Sequence, residues 1–292
     1  MLDLLGHLSS DLLWARTRHR TVAVGRFDES TDRWTDIDAA GAVDLDELTV
    51  ATFNIWFDDY HAEPRYQAIA DLLSRNRPDI MVFQEVTPRA LEVFLSQPWL
   101  RADYLRATVV GGDLGNYGML LLSRLPIHRV TYTRLPTRLS RGLLAAELTI
   151  NGRTEVIGSV HLESGKAAVR LRERQLNTIF RILRKSESAL LLGDFNMRDG
   201  ENGNIKAPYR DLWPLLRPQD AGYTEDTDIN LTRWDSKNKH RQVRFDRVLL
   251  KGRHWTATDI ELLGTEPISP ALPRVFPSDH FGVHCRLTRR TG

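Results

Sequence analysis

Along much of the chain, short apolar runs end abruptly in a polar residue. The clearest is Leu190-Leu191-Leu192-Gly193-Asp194-Phe195-Asn196-Met197-Arg198-Asp199, where a run of strand length gives way to Gly-Asp-x-Asn. Such a run predicts a buried strand that delivers polar groups to the rim of a sheet, where the chain turns and a ligand can reach it. Asp194, Asn196 and Arg198 alternate, so their side chains are expected on one side of the strand end. The pattern recurs. Leu48 to Asn54 is a β-branched run that ends in an amide, and Asp79 to Val86 is a buried run with Glu85 near its end. Thr154 to His161 ends in an imidazole, with Ser164 just beyond it. Asp246 opens an apolar run to Leu250, and Asp279-His280 precedes a terminal strand.

Between these runs the period changes. Pro64 opens an amphipathic helix through Arg75, with Ile69, Leu72 and Leu73 on one face. Helices are also expected over Thr87–Gln97 and Ala167–Lys185, the second with a solvated, arginine-rich outer face. Strands are expected at Asp103–Val109, Tyr117–Ser123, Ile127–Thr133 and Leu143–Ile150, and Asn151-Gly152 signals a hairpin. Crossovers mixed with antiparallel meanders predict two stacked mixed β-sheets flanked by helices. Residues 1–47 read differently. Leu2 to Trp14 has helical spacing, Thr21–Phe27 and Arg33–Thr35 read as strand, turn, strand, and Val43 to Glu47 reads as a linker. The chain is therefore divided into an N-terminal extension, 1–47, without a functional signal, and a main domain, 48–292.

Composition narrows the classes. Of 292 residues, 41% are hydrophobic and 27% charged, which suits a globular protein with a substantial core. The net charge of +2 excludes a polybasic protein, so nucleic-acid binding must come from a local patch. The single cysteine, Cys285, excludes an intramolecular disulfide and a zinc–cysteine cluster, and a cytoplasmic location is expected. No apolar run approaches membrane-spanning length and no signal-peptide core is visible, so no membrane partner is expected. A monomer is expected.

The strand ends carry the candidate chemistry. A carboxylate beside a carboxamide, as at Asp194 and Asn196, offers acceptors for water and a donor for a phosphate oxygen. Glu85 is the hard oxygen ligand that Mg²⁺ prefers. His161 and Ser164 are donors, and the His280 imidazole needs an orienting acceptor, Asp246 or Asp279. In Thr232 to Leu250 an aromatic, Trp234, stands among several cations, Arg244 included, which is the composition of a single-strand platform. The plainer readings are an Asp/Asn turn, a satisfied edge histidine and a solvated charged loop.

In chain order the strand ends supply Asn54, Glu85, His161, Asp194, Asn196, Asp246, Asp279 and His280. With them stand Phe-Gln-Glu-Val at Glu85, His-Leu-Glu-Ser at His161, Gly-Asp-x-Asn-x-Arg-Asp at Asp194, Thr-x-Trp-Asp at Trp234, Arg-Phe-Asp-Arg at Asp246 and Phe-Pro-Ser-Asp-His-Phe-Gly at His280. This set resembles the endonuclease/exonuclease/phosphatase superfamily over Leu48 to Arg290, and within it the tyrosyl-DNA phosphodiesterase branch. The resemblance implies a four-layered α/β sandwich and an Mg²⁺-dependent (or Mn²⁺-dependent) phosphodiesterase acting on nucleic-acid ends, with 5′-tyrosyl-DNA as the leading substrate. It implies that Glu85 holds the metal. It implies further that Asp194 orients or deprotonates the attacking water, that Asn54 and Asn196 fix phosphate and nucleophile, and that His161, Ser164 and His280 donate to phosphate oxygens. Arg198, Trp234 and Arg244 would contact single-stranded 5′ DNA ends or RNA. The alternatives are an RNA-directed phosphodiesterase (deadenylase-like or a 2′,3′-cyclic phosphatase) and a non-catalytic nucleic-acid-binding relative. One departure stands out. Where the family has an Asp two residues after the first-strand Asn, this chain has Trp56, with Asp58 and Asp59 nearby.

Overall fold

Strict alternation along each central strand builds the layers. In Glu47–Asn54, Leu48 and Val50 face one core while Ala51 and Phe53 face another. In Ser188–Asp194, Leu190 and Leu192 join the first core while Ala189 and Leu191 join a third. That first core lies between two sheets. The second packs one sheet on helices Ala62–Asn76, Pro88–Leu95 and Pro98–Asp103, through Tyr66, Ile69, Phe94 and Leu100. The third packs the other sheet on helix Val169–Ile182, through Leu176 and Ile179. The result is helix, sheet, sheet, helix: the four-layered α/β sandwich. The computed structural model describes residues 19–38 and 40–290, so the helical spacing of Leu2–Trp14 lies outside the described residues.

Each sheet has eight strands and mixes parallel with antiparallel pairing. Glu47–Asn54 and Ile80–Val86 run parallel, with Asn54 level with Gln84. In the other sheet Arg153–His161 and Ser188–Asp194 run parallel, with His161 level with Asp194. Asp246–Lys251 runs antiparallel to the latter and begins level with Asp194. Gly282–Arg289 runs antiparallel to Glu47–Asn54. C-terminal ends of parallel strands and N-terminal ends of their antiparallel neighbours therefore meet at one end of the sandwich. The N-terminal strands enter both sheets: His19–Val22 pairs with Arg129–Arg134, and the hairpin of Val24–Asp28 and Arg33–Ile37 extends the other sheet at Leu105–Val109.

At that shared end the layer between the sheets turns polar. Inward positions read Val50, Thr52, Asn54 on one strand and Leu190, Leu192, Asp194 on another. On two more they read Ile157, Ser159, His161 and, in reverse, Leu250, Val248, Asp246. Thr52, Gln84 and Ser159 bridge the sheets by side-chain hydrogen bonds of 3.2 Å, which satisfies polar groups that would otherwise be costly to bury.

Candidate active site

Asp194 is the centre of a buried network. Its Oδ2 accepts from Asn54 Nδ2 (3.1 Å) and from Asn196 Nδ2 (2.9 Å), and its Oδ1 accepts from the Asn196 main-chain N–H (2.8 Å). Asn196 adopts a left-handed φ of 50°, which folds its amide back onto the aspartate. Burial is the largest influence on Asp194 and pushes its carboxyl up to about 7, while His280, the Asn196 N–H and Arg141 pull the other way. Three N–H donors converge on this carboxylate and fix it as an acceptor facing the cleft.

Glu85 reaches the site through a break in alternation. Met81 and Phe83 face the helices and Gln84 faces the other sheet, so an unbroken strand would turn Glu85 toward the helices. The register shifts between Gln84 and Val86, and Glu85 takes φ 61°. This bulge re-aims the carboxylate into the cleft, and Val86 resumes packing on the helices. A left-handed glutamate in a strand is strained, and such strain concentrates at functional sites. Glu85 Oε2 accepts from the Phe57 N–H (3.2 Å), and Oε1 lies 3.8 Å from His161 Nε2. Burial, then the nearby Asp279, pushes its carboxyl up.

The two histidines are held in different protonation states. Arg141 Nη1 lies 2.8 Å from His161 Nδ1. A guanidinium only donates, so Nδ1 is the acceptor and the ring proton sits on Nε2. Burial first, then Arg141 and His280, drive the His161 pKa well down, which keeps the ring neutral. Its Nε2–H has no hydrogen-bond partner and lies 3.5 Å from Asp194 Oδ2. His280 is the opposite case. Burial opposes its charge, but Asp246, Asp279 and Asp194 outweigh that and hold its pKa well above the usual value. Its Nδ1 donates to Asp246 Oδ2 at 2.8 Å. Ser278 fixes the turn that carries it, donating to the Asn54 carbonyl (2.7 Å) and accepting from the His280 N–H (3.2 Å). Of the two orienting acceptors expected for His280, Asp246 is the one bonded. Asp279 instead lies 3.5 Å from Arg233 Nη1, and Arg233 Nε bonds Glu225.

Candidate metal ligands divide clearly. Atoms of Asp194, Asp246 and His280 lie within 4.8 Å of one another. A protonated imidazole is not a ligand, however, and the oxygens of Asp194 are occupied by amide donors. Glu85 accepts only one main-chain hydrogen bond and faces the cleft, and Asp246 Oδ1 is buried without a partner. Glu85, pushed up by burial and by Asp279, and the unpartnered oxygen of Asp246 are the hard oxygen donors that a divalent cation fits.

Ser164 and Arg198 line the cleft beside Asp194, Asn196 and His280. Two expected contacts do not. Arg244 is 5% exposed, and its Nη1 is bound to both oxygens of Asp211, an aspartate shared with Arg247; the substrate contact expected of it becomes a structural ion pair. Trp234 is half-buried in helix Leu231–Lys237, whose Thr232, Arg233 and Asp235 line the cleft's neighbour while its own ring does not. Sequence reading missed Arg141, Tyr117, Arg65, Arg233 and Lys166. Arg141 precedes a strand rather than ending one, and no local period marks it.

A model of the Endonuclease/Exonuclease/phosphatase family matches residues 51–280. Tyrosyl-DNA phosphodiesterase 2 of Gallus gallus is 30% identical over 260 residues, 82% of this chain and 66% of that protein. The Xenopus laevis protein of the same name is 28% identical over 263 residues, 83% of this chain and 67% of its own length. The chain thus spans about two thirds of these relatives. Among solved structures, D. rerio TDP2 complexed with single strand DNA product superposes with a TM-score of 0.73 at 24% identity, covering 83% of this chain and 99% of that one.

Proposed function

The chain belongs to the endonuclease/exonuclease/phosphatase family, and on that premise we propose that it is a divalent-metal-dependent phosphodiesterase of nucleic-acid ends. The proposal extends to 5′-tyrosyl-DNA as leading substrate and to Mg²⁺ as the metal, held by Glu85. The observation that carries it is the pair of imidazole donors, one neutral and one charged, that flank a buried aspartate with Glu85 beside it.

Each residue then has a task. Asp194, fixed by Asn54 and Asn196, orients water and accepts its proton. His161 Nε2–H and the His280 imidazolium donate to the non-bridging oxygens, where negative charge builds as the phosphorus–oxygen bond forms. Asp246 keeps His280 charged and in one tautomer. Arg141 does the reverse for His161. Ser164 and Arg198 take phosphate oxygens of the strand. A bound Mg²⁺ supplies neutralisation of phosphate charge and stabilisation of the leaving oxygen. Relatives named tyrosyl-DNA phosphodiesterase 2, and a relative's complex with single-strand DNA, support the choice of substrate. The proposal also has the protein acting as a cytoplasmic monomer.

End-labelled 5′-tyrosyl, 3′-phosphoryl, cyclic-phosphate and abasic oligonucleotides, with Mg²⁺ or EDTA, test this. Mg²⁺-dependent release of tyrosine is expected. Preferential opening of the cyclic phosphate would move the activity to RNA, and no metal-dependent turnover would leave a binding protein.

A further inference from the structure

Glu85 and Phe57 stand on a ridge between two openings. One, of about 430 Å³, holds Asp194 and the His280 imidazolium, and its lining adds six Lys and Arg cations (Arg141, Lys166, Arg198, Arg233, Lys239, Arg241) against three carboxylates (Glu85, Asp194, Glu225). The other, of about 480 Å³, passes under Trp56, Phe57 and Tyr60 to helix Leu231–Lys237. Its charged lining is reversed: four carboxylates (Asp58, Glu85, Asp235, Asp279) against Arg233 and Lys237. A polyanion is drawn into the first opening and repelled from the second. The chemistry above uses only the first.

The second opening is a built aromatic surface. Phe57 is 42% exposed and Tyr60 43%, and the two rings share one opening. They are not loose. Arg65, fully buried in helix Ala62–Asn76, spends its donors on the loop that carries them. Nε bonds the Tyr60 carbonyl (2.7 Å), Nη1 those of Ile55 (3.0 Å) and Pro277 (3.3 Å), and Nη2 those of Trp56 (3.2 Å) and Asp58 (2.6 Å). Its guanidinium also lies 4.7 Å from the centre of the Trp56 ring. Trp56 and His61 take left-handed φ values of 57° and 46°, so the turn is held in an uncommon shape. Phe57 stacks on Tyr117 at 4.8 Å and 25° on the ridge side. Water-exposed rings on a pinned loop beside a reacting centre form a surface for another ring, because the loop itself has little left to order when it docks.

We propose that this second opening is the leaving-group subsite of the phosphodiesterase read above: it takes the aryl group expelled from phosphorus, a tyrosyl side chain with its peptide, against Phe57 and Tyr60. The nucleic acid lies in the cationic opening. The peptide that enters beside Asp58 and Asp235 is neutral or basic rather than acidic. In the reaction the water oxygen bonds to phosphorus, the phosphorus–aryl oxygen bond breaks with its electron pair on oxygen, and the phenol departs carrying a proton; water is the only co-reactant. Trp56, held against the Arg65 guanidinium, lines this opening as a further ring.

The test compares two 5′ esters of one oligonucleotide, tyrosine amide and trifluoroethanol, in Mg²⁺. Each of Tyr60→Ala and Phe57→Leu is expected to lower the tyrosyl-to-trifluoroethyl ratio of kcat/KM by about 3- to 10-fold, chiefly through KM. Lys239→Ala, on the cationic side, lowers both esters alike. A ratio unchanged in folded Tyr60→Ala and Phe57→Leu overturns the subsite. Binding gives a second readout without turnover: protein fluorescence titrated with O-phosphotyrosine amide and O-phosphoserine amide. The aryl phosphate is expected to bind about tenfold tighter, with the preference lost in the double variant. Equal binding in the unaltered protein overturns the inference. Neither ester turned over, with the aryl preference intact, would refute the phosphodiesterase reading and keep the aryl site.

Discussion

The two ends of the sandwich hold openings of similar size, about 430 Å³ around Asp194 and about 530 Å³ around Arg153, Glu155 and Trp255. The same strands run between them, Arg153–His161 for one and Gly282–Arg289 for another. Each end has a buried carboxylate near a cluster of arginines. What separates them is how the polar groups are partnered. At the first end Asn54 and Asn196 donate to Asp194, His280 donates to Asp246 and Arg141 donates to His161, which leaves His161 Nε2–H and Asp246 Oδ1 unspent. At the far end Arg153 and Arg289 form long, exposed pairs with Glu187 and Asp46, at 3.7 and 3.9 Å. Such pairs contribute little. Glu155 is buried, which pushes its carboxyl up, and its Oε2 and the neighbouring Trp255 Nε1–H are also without partners, but among the described residues no imidazole or amide network surrounds them. Size, charge and unspent polar atoms do not by themselves identify a site; a frame of mutually bonded carboxylate, amide and imidazole groups around them does.

The contrast yields graded expectations. Glu85→Gln should reduce Mg²⁺-dependent turnover at least about 100-fold without lowering Tm, since it removes a carboxylate that burial disfavours; appreciable turnover would take Glu85 out of the metal role. His161→Ala should cost about 100- to 1000-fold in kcat, the usual effect of deleting one oxyanion donor, and steady-state kinetics reads it directly. Glu155→Gln, the matching change at the far end, should leave turnover untouched and stabilise the fold at pH 7 by about 1 kcal/mol. The sign follows from the shift. The folded-state pKa of Glu155 lies above the unfolded one, so its penalty is absent below the unfolded value and grows as pH rises through it. Denaturant melts at pH 7 and near pH 4 should show the gain only at the former. Trp234→Ala should weaken single-strand binding by less than the about 1–3 kcal/mol of a stacked base; a loss of that full size by anisotropy would return the ring to the binding surface. Arg253→Ala should change kcat/KM less than about twofold.

Much of this was legible from residue order because strands deliver their last residue to the rim, and an apolar run that stops at Asn54, His161 or Asp194 says where the rim is. Crossovers mixed with antiparallel meanders pointed to two stacked sheets flanked by helices, and the family resemblance implied the four layers. What stayed hidden depends on contacts across the fold. Arg141 and His161 are joined across an antiparallel pair of strands. Arg65 occupies an ordinary helix position, and only the path of the 55–60 loop over it shows its use. The bulge at Glu85 cannot be read either: strict alternation would point it at the helices. Arg244 failed for the converse reason, since a cation one turn from a catalytic strand looks available until Asp211 is seen beneath it. The N-terminal strands of 19–37 had no chemical signal, and their pairing with both sheets came only from the fold.

The direct test of the central claim, that these strand ends form one phosphate-sized site around a divalent cation, is Mn²⁺ titration by calorimetry of the unaltered protein, Glu85→Gln and Glu155→Gln. The account predicts one ion in the unaltered protein and in Glu155→Gln, and binding lost or greatly weakened in Glu85→Gln. Equal binding in all three would contradict it.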